Sequence, residues 1–248
     1  MKTKNALLVL LSWIITGYGL SSCSKDDNRE TSSMTVKMQA VNKRFSLPVG
    51  TSALKSALAT ASMEWNSAVM MVSKLEFEAE MKNPGTPGSE LEIEYEVKGP
   101  VEVNLFDTKS NIGSIILPPG VYEEVEFEVH LDKQYAGGKP LIYLAGFYTN
   151  AGGSKVPVTF SANENFNFKA EQEGVTVTAT ENSTYSSLIQ IFLDQMMKGI
   201  NPEDLDNATR TNGEIIISAT SNSELYQVII SNFKNHHKFE CRGDRDDD

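Results

Sequence analysis

Apolar and acidic residues take turns along three stretches of the chain. Leu75, Phe77, Ala79 and Met81 alternate with Glu76, Glu78 and Glu80; Leu91, Ile93, Tyr95 and Val97 alternate with Glu90, Glu92, Glu94 and Glu96. Val125, Phe127, Val129 and Leu131 do the same with Glu124, Glu126, Glu128 and His130. A period of two gives each set one dry and one wet strand face, where a helical period would scatter the glutamates around a cylinder. β-Branched and aromatic residues at the apolar positions suit a pleated surface.

Turn chemistry separates these runs. Asn83-Pro84-Gly85-Thr86-Pro87-Gly88 divides the first two, Lys98-Gly99-Pro100 splits the second from Val101 to Phe106, and Pro118-Pro119-Gly120 precedes Val121. Ala136-Gly137-Gly138 and Ala151-Gly152-Gly153 bracket a strand around Leu141 to Tyr148. Further strands are expected at Met34 to Phe45, Val156 to Ala162, Asn165 to Ala170 and Val175 to Ala179. No helix alternates with them, so the expected fold class is mainly β: an antiparallel β-sandwich of about nine strands with Greek-key or meander connections.

After Thr180 the pattern changes. Leu188, Ile189, Ile191, Phe192, Leu193, Met196 and Met197 follow Ser186-Ser187 and end at Lys198-Gly199, which predicts a largely buried helix. Its methionines read as gap-filling core residues. Asn201-Pro202-Glu203-Asp204 opens a short second helix, Glu214 to Ala219 a strand, and Asn222-Ser223-Glu224 a third helix carrying Leu225, Val228, Ile229 and Phe233. The expectation is a single sandwich domain over residues 34–240 with a short helical C-terminal extension from about 185, then an acidic tail over 241–248.

The amino terminus reads as an export signal over residues 1–22. Lys2 and Lys4 precede an apolar run, Ala6 to Leu20, that is short of the about 20 residues a spanning helix takes. Leu20-Ser21-Ser22-Cys23 resembles the lipobox of bacterial lipoproteins, in which the cysteine thiol takes the lipid, so Cys23 is the expected lipidation site. Several acyl chains on one cysteine hold a polar protein to a membrane without a spanning helix. Residues 23–33, rich in Ser, Asp and Asn, then form a flexible tether. Ser24-Lys25-Asp26-Asp27-Asn28 resembles the charged sequence behind the cysteine of surface-exported lipoproteins of the Bacteroidota, which implies an outer-membrane anchor on the cell surface.

Charge and cysteine content narrow the partners. With a formal net charge of -11 over 248 residues the chain is not built for phosphate backbones, so no nucleic acid is expected. Cys241 is the only thiol besides Cys23, so no disulfide framework is possible. Stability has to come from a core.

The residue types needed for catalysis are sparse. Alternation leaves the glutamates in water, without the burial that raises the pKa of a glycosidase acid. His130, His236 and His237 have no third ligand at metal spacing, no G-x-S-x-G is present, and no glycine-rich loop opens a helix. No cofactor, metal or catalytic residue is therefore expected. Arg242-Gly243-Asp244 is a tripeptide too short to argue from. Tyr135 and Tyr148, next to the two glycine-rich turns, are the candidate ligand-binding residues, because a loop aromatic can stack on a sugar face.

Met63-Glu64-Trp65-Asn66-Ser67-Ala68-Val69 leading into Lys74-Leu75-Glu76-Phe77-Glu78, Gly99-Pro100-Val101-Glu102-Val103-Asn104-Leu105, Leu117-Pro118-Pro119-Gly120-Val121-Tyr122-Glu123 and Asn222-Ser223-Glu224-Leu225-Tyr226 resemble the uncharacterised lipoprotein domain family of gut and oral Bacteroidota. The resemblance implies an immunoglobulin- or transthyretin-like β-sandwich on the cell surface, with no assigned activity. The expected function is a non-catalytic binding or adhesion module for a glycan, host protein or envelope protein. The alternative is a fimbria-type structural or anchor subunit that accepts a donor strand in a groove opened by cleaving off an N-terminal strand at an Arg or Lys, for which Val41-Asn42-Lys43-Arg44-Phe45 offers a place. A polysaccharide-processing enzyme is the third reading.

Overall fold

One strand, Ser62–Lys82, is 21 residues long and serves as the spine of the molecule. The computed structural model describes residues 31–47, 60–83, 85–86, 88–172, 176–235 and 237–243. Cys23 and the N-terminal signal lie outside the described residues. The strands are β1 (Ser32–Val41), β2 (Arg44–Ser46), β3 (Ser62–Lys82), β4 (Glu90–Asn104), β5 (Asn111–Leu117), β6 (Gly120–Leu131) and β7 (Ile142–Thr149). They continue with β8 (Lys155–Ala162), β9 (Phe166–Gln172), β10 (Val177–Ala179), β11 (Thr184–Phe192), β12 (Arg210–Thr211), β13 (Glu214–Ile217) and β14 (His237–Gly243). Three helices complete the set: α1 (Leu193–Met196), α2 (Pro202–Asp206) and α3 (Ser223–Asn235).

The chain is mainly β, as the alternation predicts, in two sheets. The smaller runs β14-β11-β1-β5; the larger contains ten strands around β3. The upper half of β3 pairs with β4 on one side and β6 on the other, and its lower half with β7. Both sheets send side chains into one core, where Met34, Val36, Met38, Ile189 and Ile191 of the smaller sheet join Trp65, Phe77, Phe127, Leu144 and Phe160 of the larger. Phe77 packs on Phe127 at 5.2 Å between ring centroids.

Five expectations need correction. First, the sheets are mixed: β1 runs parallel to β11, and β8 parallel to β13. Second, the helix expected from Ser186 is the strand β11, and only Leu193–Met196 turns helical. Ser187, Ile189, Ile191 and Leu193 are buried while Leu188, Gln190 and Phe192 are half-buried, so apolar cover on both faces hides the alternation. Third, β4 continues through Lys98-Gly99-Pro100, and the break is absorbed by a register shift in β3 between Val72 and Lys74. Fourth, residues 237–243 form β14 on the free side of β11, so the expected tail begins with a strand that contains Cys241, Arg242 and Gly243; Asp244 lies outside the described residues. Fifth, the described residues contain fourteen strands where about nine are expected, and β1 already begins inside the expected tether, at Ser32.

The helical segments are tied into the core. Phe233 of α3 meets Phe166 and Phe168 edge-on at 5.3 and 5.4 Å, and Tyr226 stacks on Phe160 at 5.7 Å. Asn232 Nδ2 donates to the carbonyls of Met196 and Lys198, at 3.1 and 2.7 Å, which locks α3 to the turn behind β11. The three aromatic pairs add about 0.5–1.5 kcal/mol each beyond area burial.

Candidate functional site

The wet faces expected from the sequence merge into one acidic surface. In register across β4, β3 and β6 lie Glu96–Glu76–Glu128, then Glu94–Glu78–Glu126, then Glu92–Glu80–Glu123. Like charges directly opposite one another oppose sheet formation by tenths of a kcal/mol per pair, about 0.2–1 in magnitude. Lysines offset this. Lys169 of β9 reaches Glu126 Oε1 at 2.5 Å, Lys82 reaches Glu123 at 2.7 Å, and Lys98 lies 3.5 Å from Glu96.

One end of this surface is basic rather than acidic. Lys74 pairs in register with Lys98 on one side and His130 on the other. Lys74 Nζ donates to Glu76 Oε1 at 2.6 Å, and His130 Nε2 lies 2.6 Å from the other carboxylate oxygen. Lys74 first, and His130 after it, hold the Glu76 carboxyl below the usual carboxylate range, against the opposing effect of desolvation. Glu80, at the far end, is pushed up instead, chiefly by Glu124 and Glu90. Sequence spacing had offered His130 no third ligand; the sheet brings Glu76, Glu128 and His130 together, with donor atoms all within 4.8 Å. The pair Glu128-x-His130 on one strand face was the available signal, but its partner Glu76 follows only from the register.

Beside His130 the surface folds into an open cleft of about 770 Å³. Its walls include Lys98, His130, Gln134, Tyr135, Asn165 and Asn167. The local sequence builds it. A Cβ on Gly99 would stand 2.4 Å from the Val72 carbonyl oxygen, so only glycine lets β4 approach the shifted part of β3 this closely. Ser73, inside that shift, donates to the His130 carbonyl at 2.8 Å and fixes the end of β6. After β6 the chain turns through a 3-10 segment, Lys133–Tyr135. Asp132 caps it by accepting from Gln134 N at 3.0 Å and Gln134 Nε2 at 2.7 Å, and Asn165 Oδ1 accepts from Lys133 N at 2.9 Å. The segment is thus pinned on both sides, with Tyr135 50% exposed at the cleft wall.

Tyr148 is elsewhere. It is fully buried, its hydroxyl 3.1 Å from both the Pro202 carbonyl and Asp206 Oδ1 of α2, and burial with the Asp206 contact pushes its pKa well up. That corrects its expected place on a binding loop. Alternation over β7 puts Ile142, Leu144, Gly146 and Tyr148 on the inward face, a signal that was present in the sequence. A smaller depression of about 400 Å³ lies between α2 and α3. There Asn222 spends its side chain on Thr209 and Ile216 backbone groups, which holds the loop together.

The cleft can hold a polar ligand against an aromatic ring. Glu76, which meets the cleft residue His130 without itself lining the cleft, has its carboxyl held down, the direction opposite to that of a general acid at neutral pH. Among the described residues no helix is long and apolar enough to cross a membrane. Compared with protein-family models, with curated proteins and with solved structures, the chain matches none.

Proposed function

We propose that the chain is a non-catalytic glycan-binding or adhesion module, lipid-anchored through Cys23 at the outer membrane and displayed at the cell surface on a sandwich-type domain. The observation that carries the reading is Tyr135, half-exposed on the wall of a cleft whose polar lining includes amides, Lys74, Lys98, Glu96, Asp132 and His130. Sugars are held by an aromatic platform under their C–H face and by planar amides and charged groups around their hydroxyls. Gln134, within the ring's segment, and Asn165, which accepts from Lys133 N, bring such amides to the same cleft. The net charge of -11 over the chain favours neutral or basic ligands over anionic polymers. A glycan array probed with the purified chain tests this: reproducible binding to one sugar class, lost in Tyr135→Ala, supports it, and binding that ignores the substitution refutes the site.

A second reading, a fimbria-type structural or anchor subunit, is favoured by a separate observation. β1 is an inner strand, hydrogen-bonded to β11 on one side and β5 on the other, and it ends just before Lys43 and Arg44. Cleavage after Arg44 with loss of β1 would open a groove between β11 and β5 that another strand could fill. Limited digestion with an arginine-specific protease, followed by size-exclusion chromatography, separates the readings: release of β1 with polymerisation favours the subunit, and an intact monomer favours the module.

A further inference from the structure

We infer that Glu76, Glu128 and His130 form a divalent transition-metal site, of a kind that suits zinc(II). The three side chains come from adjacent strands and converge: His130 Nε2 lies 2.6 Å from Glu76 Oε2 and 3.6 Å from Glu128 Oε1. A ring N–H donates one good hydrogen bond, and here it goes to Glu76, leaving Glu128 outside hydrogen-bond reach. A single dication between the three atoms would engage all of them. One imidazole nitrogen with two carboxylate oxygens is a donor set zinc accepts, whereas calcium wants six or more oxygens.

The surroundings suit this use. All three side chains are largely sheltered, with 16–29% of their surface exposed. Glu76 is also oriented from outside, as ligands in built sites are. Lys74 holds Glu76 by Oε1 and leaves Oε2 turned toward His130, whereas Asn167 Nδ2 donates to Glu128 Oε1, the oxygen nearest His130, so an ion there would take over or share that contact. Ser73 fixes the His130 backbone. Glu76 and Glu128 face each other in register, a repulsion the ion would remove. His130 also lines the cleft, whereas Glu76 and Glu128 do not. The inference is independent of the glycan reading, and either can fail alone.

The test is calorimetric titration of zinc chloride into the metal-stripped full chain, with a thermal melt of the same samples. The expected result is one equivalent bound per chain and a raised melting temperature. Glu128→Gln and His130→Gln should each weaken binding by roughly tenfold or more and abolish the shift. Glu94→Gln, on the same acidic surface but distant from the histidine in register, should bind as the parent does. Circular dichroism confirms that each variant is folded; should His130→Gln unfold, Glu128→Gln decides. Absence of heat and of a melting shift overturns the site. So does equal weakening by Glu94→Gln, or equally tight calcium, since either would mean diffuse attraction to the acidic surface.

Discussion

The carboxylate of Glu76 meets the imidazole of His130 at 2.6 Å across two neighbouring strands, although 54 residues separate them in the chain. That contact joins the acidic surface of the larger sheet to the cleft beside Tyr135. It also marks where the surface changes character, from glutamates facing glutamates to Lys74 facing Lys98 and His130.

The two ends of the surface should respond oppositely to neutralisation. Glu76 has a lowered pKa, so its stabilising contribution is present above the ordinary carboxylate range and lost as pH falls through its folded value. Glu80 has a raised pKa, so its charged form opposes folding once pH rises past its folded value. At pH 7 Glu76→Gln should lower the melting temperature and Glu80→Gln should raise it. Both differences should fade in acid, and the Glu80 effect should shrink with added salt. Thermal melts from pH 3 to 8 at two salt concentrations check this.

Gly146 should be irreplaceable. A Cβ there would stand 2.1 Å from the Glu64 carbonyl oxygen and 2.8 Å from the Trp65 Cα, at the bulge where β3 shifts register against β7. Gly146→Ala forces the two strands apart, with an expected loss of about 1–3 kcal/mol in urea unfolding. Gly152→Ala meets only the Asn150 side chain, at 3.3 Å, and should change stability little.

Tyr148 should matter for stability and not for binding. Tyr148→Phe removes the hydroxyl that joins β7 to α2 and leaves the Pro202 carbonyl and Asp206 with one partner fewer. The expected cost is about 1 kcal/mol by chemical denaturation, with array binding unchanged.

Much of the fold was legible because β3, β4 and β6 each carry polar residues on one face and apolar residues on the other. β11 was not, since β1 and β14 flank it within the smaller sheet and both its faces are partly covered, which turns alternation into a continuous apolar run. The parallel pairings leave no local trace, because they join strands far apart in sequence. The exposure of Tyr135 could be read from the glycine-rich turn that follows it. The convergence of Glu76, Glu128 and His130 could not, because it depends on β3–β6 register, which shifts between Glu78 and Glu80. Tyr148 was misplaced by weighing its neighbouring turn above the alternation of β7.

The most direct test of the cleft is a calorimetric titration of the array-selected sugar into the parent chain, Tyr135→Ala and Tyr143→Ala. Tyr143 is a useful control, being an exposed tyrosine on the outward face of β7 and not among the residues that line the cleft. The account predicts roughly tenfold weaker binding for Tyr135→Ala, from the lost stacking surface, and parent-like binding for Tyr143→Ala. Parent-like affinity in Tyr135→Ala, or an equal loss in both variants, would contradict it.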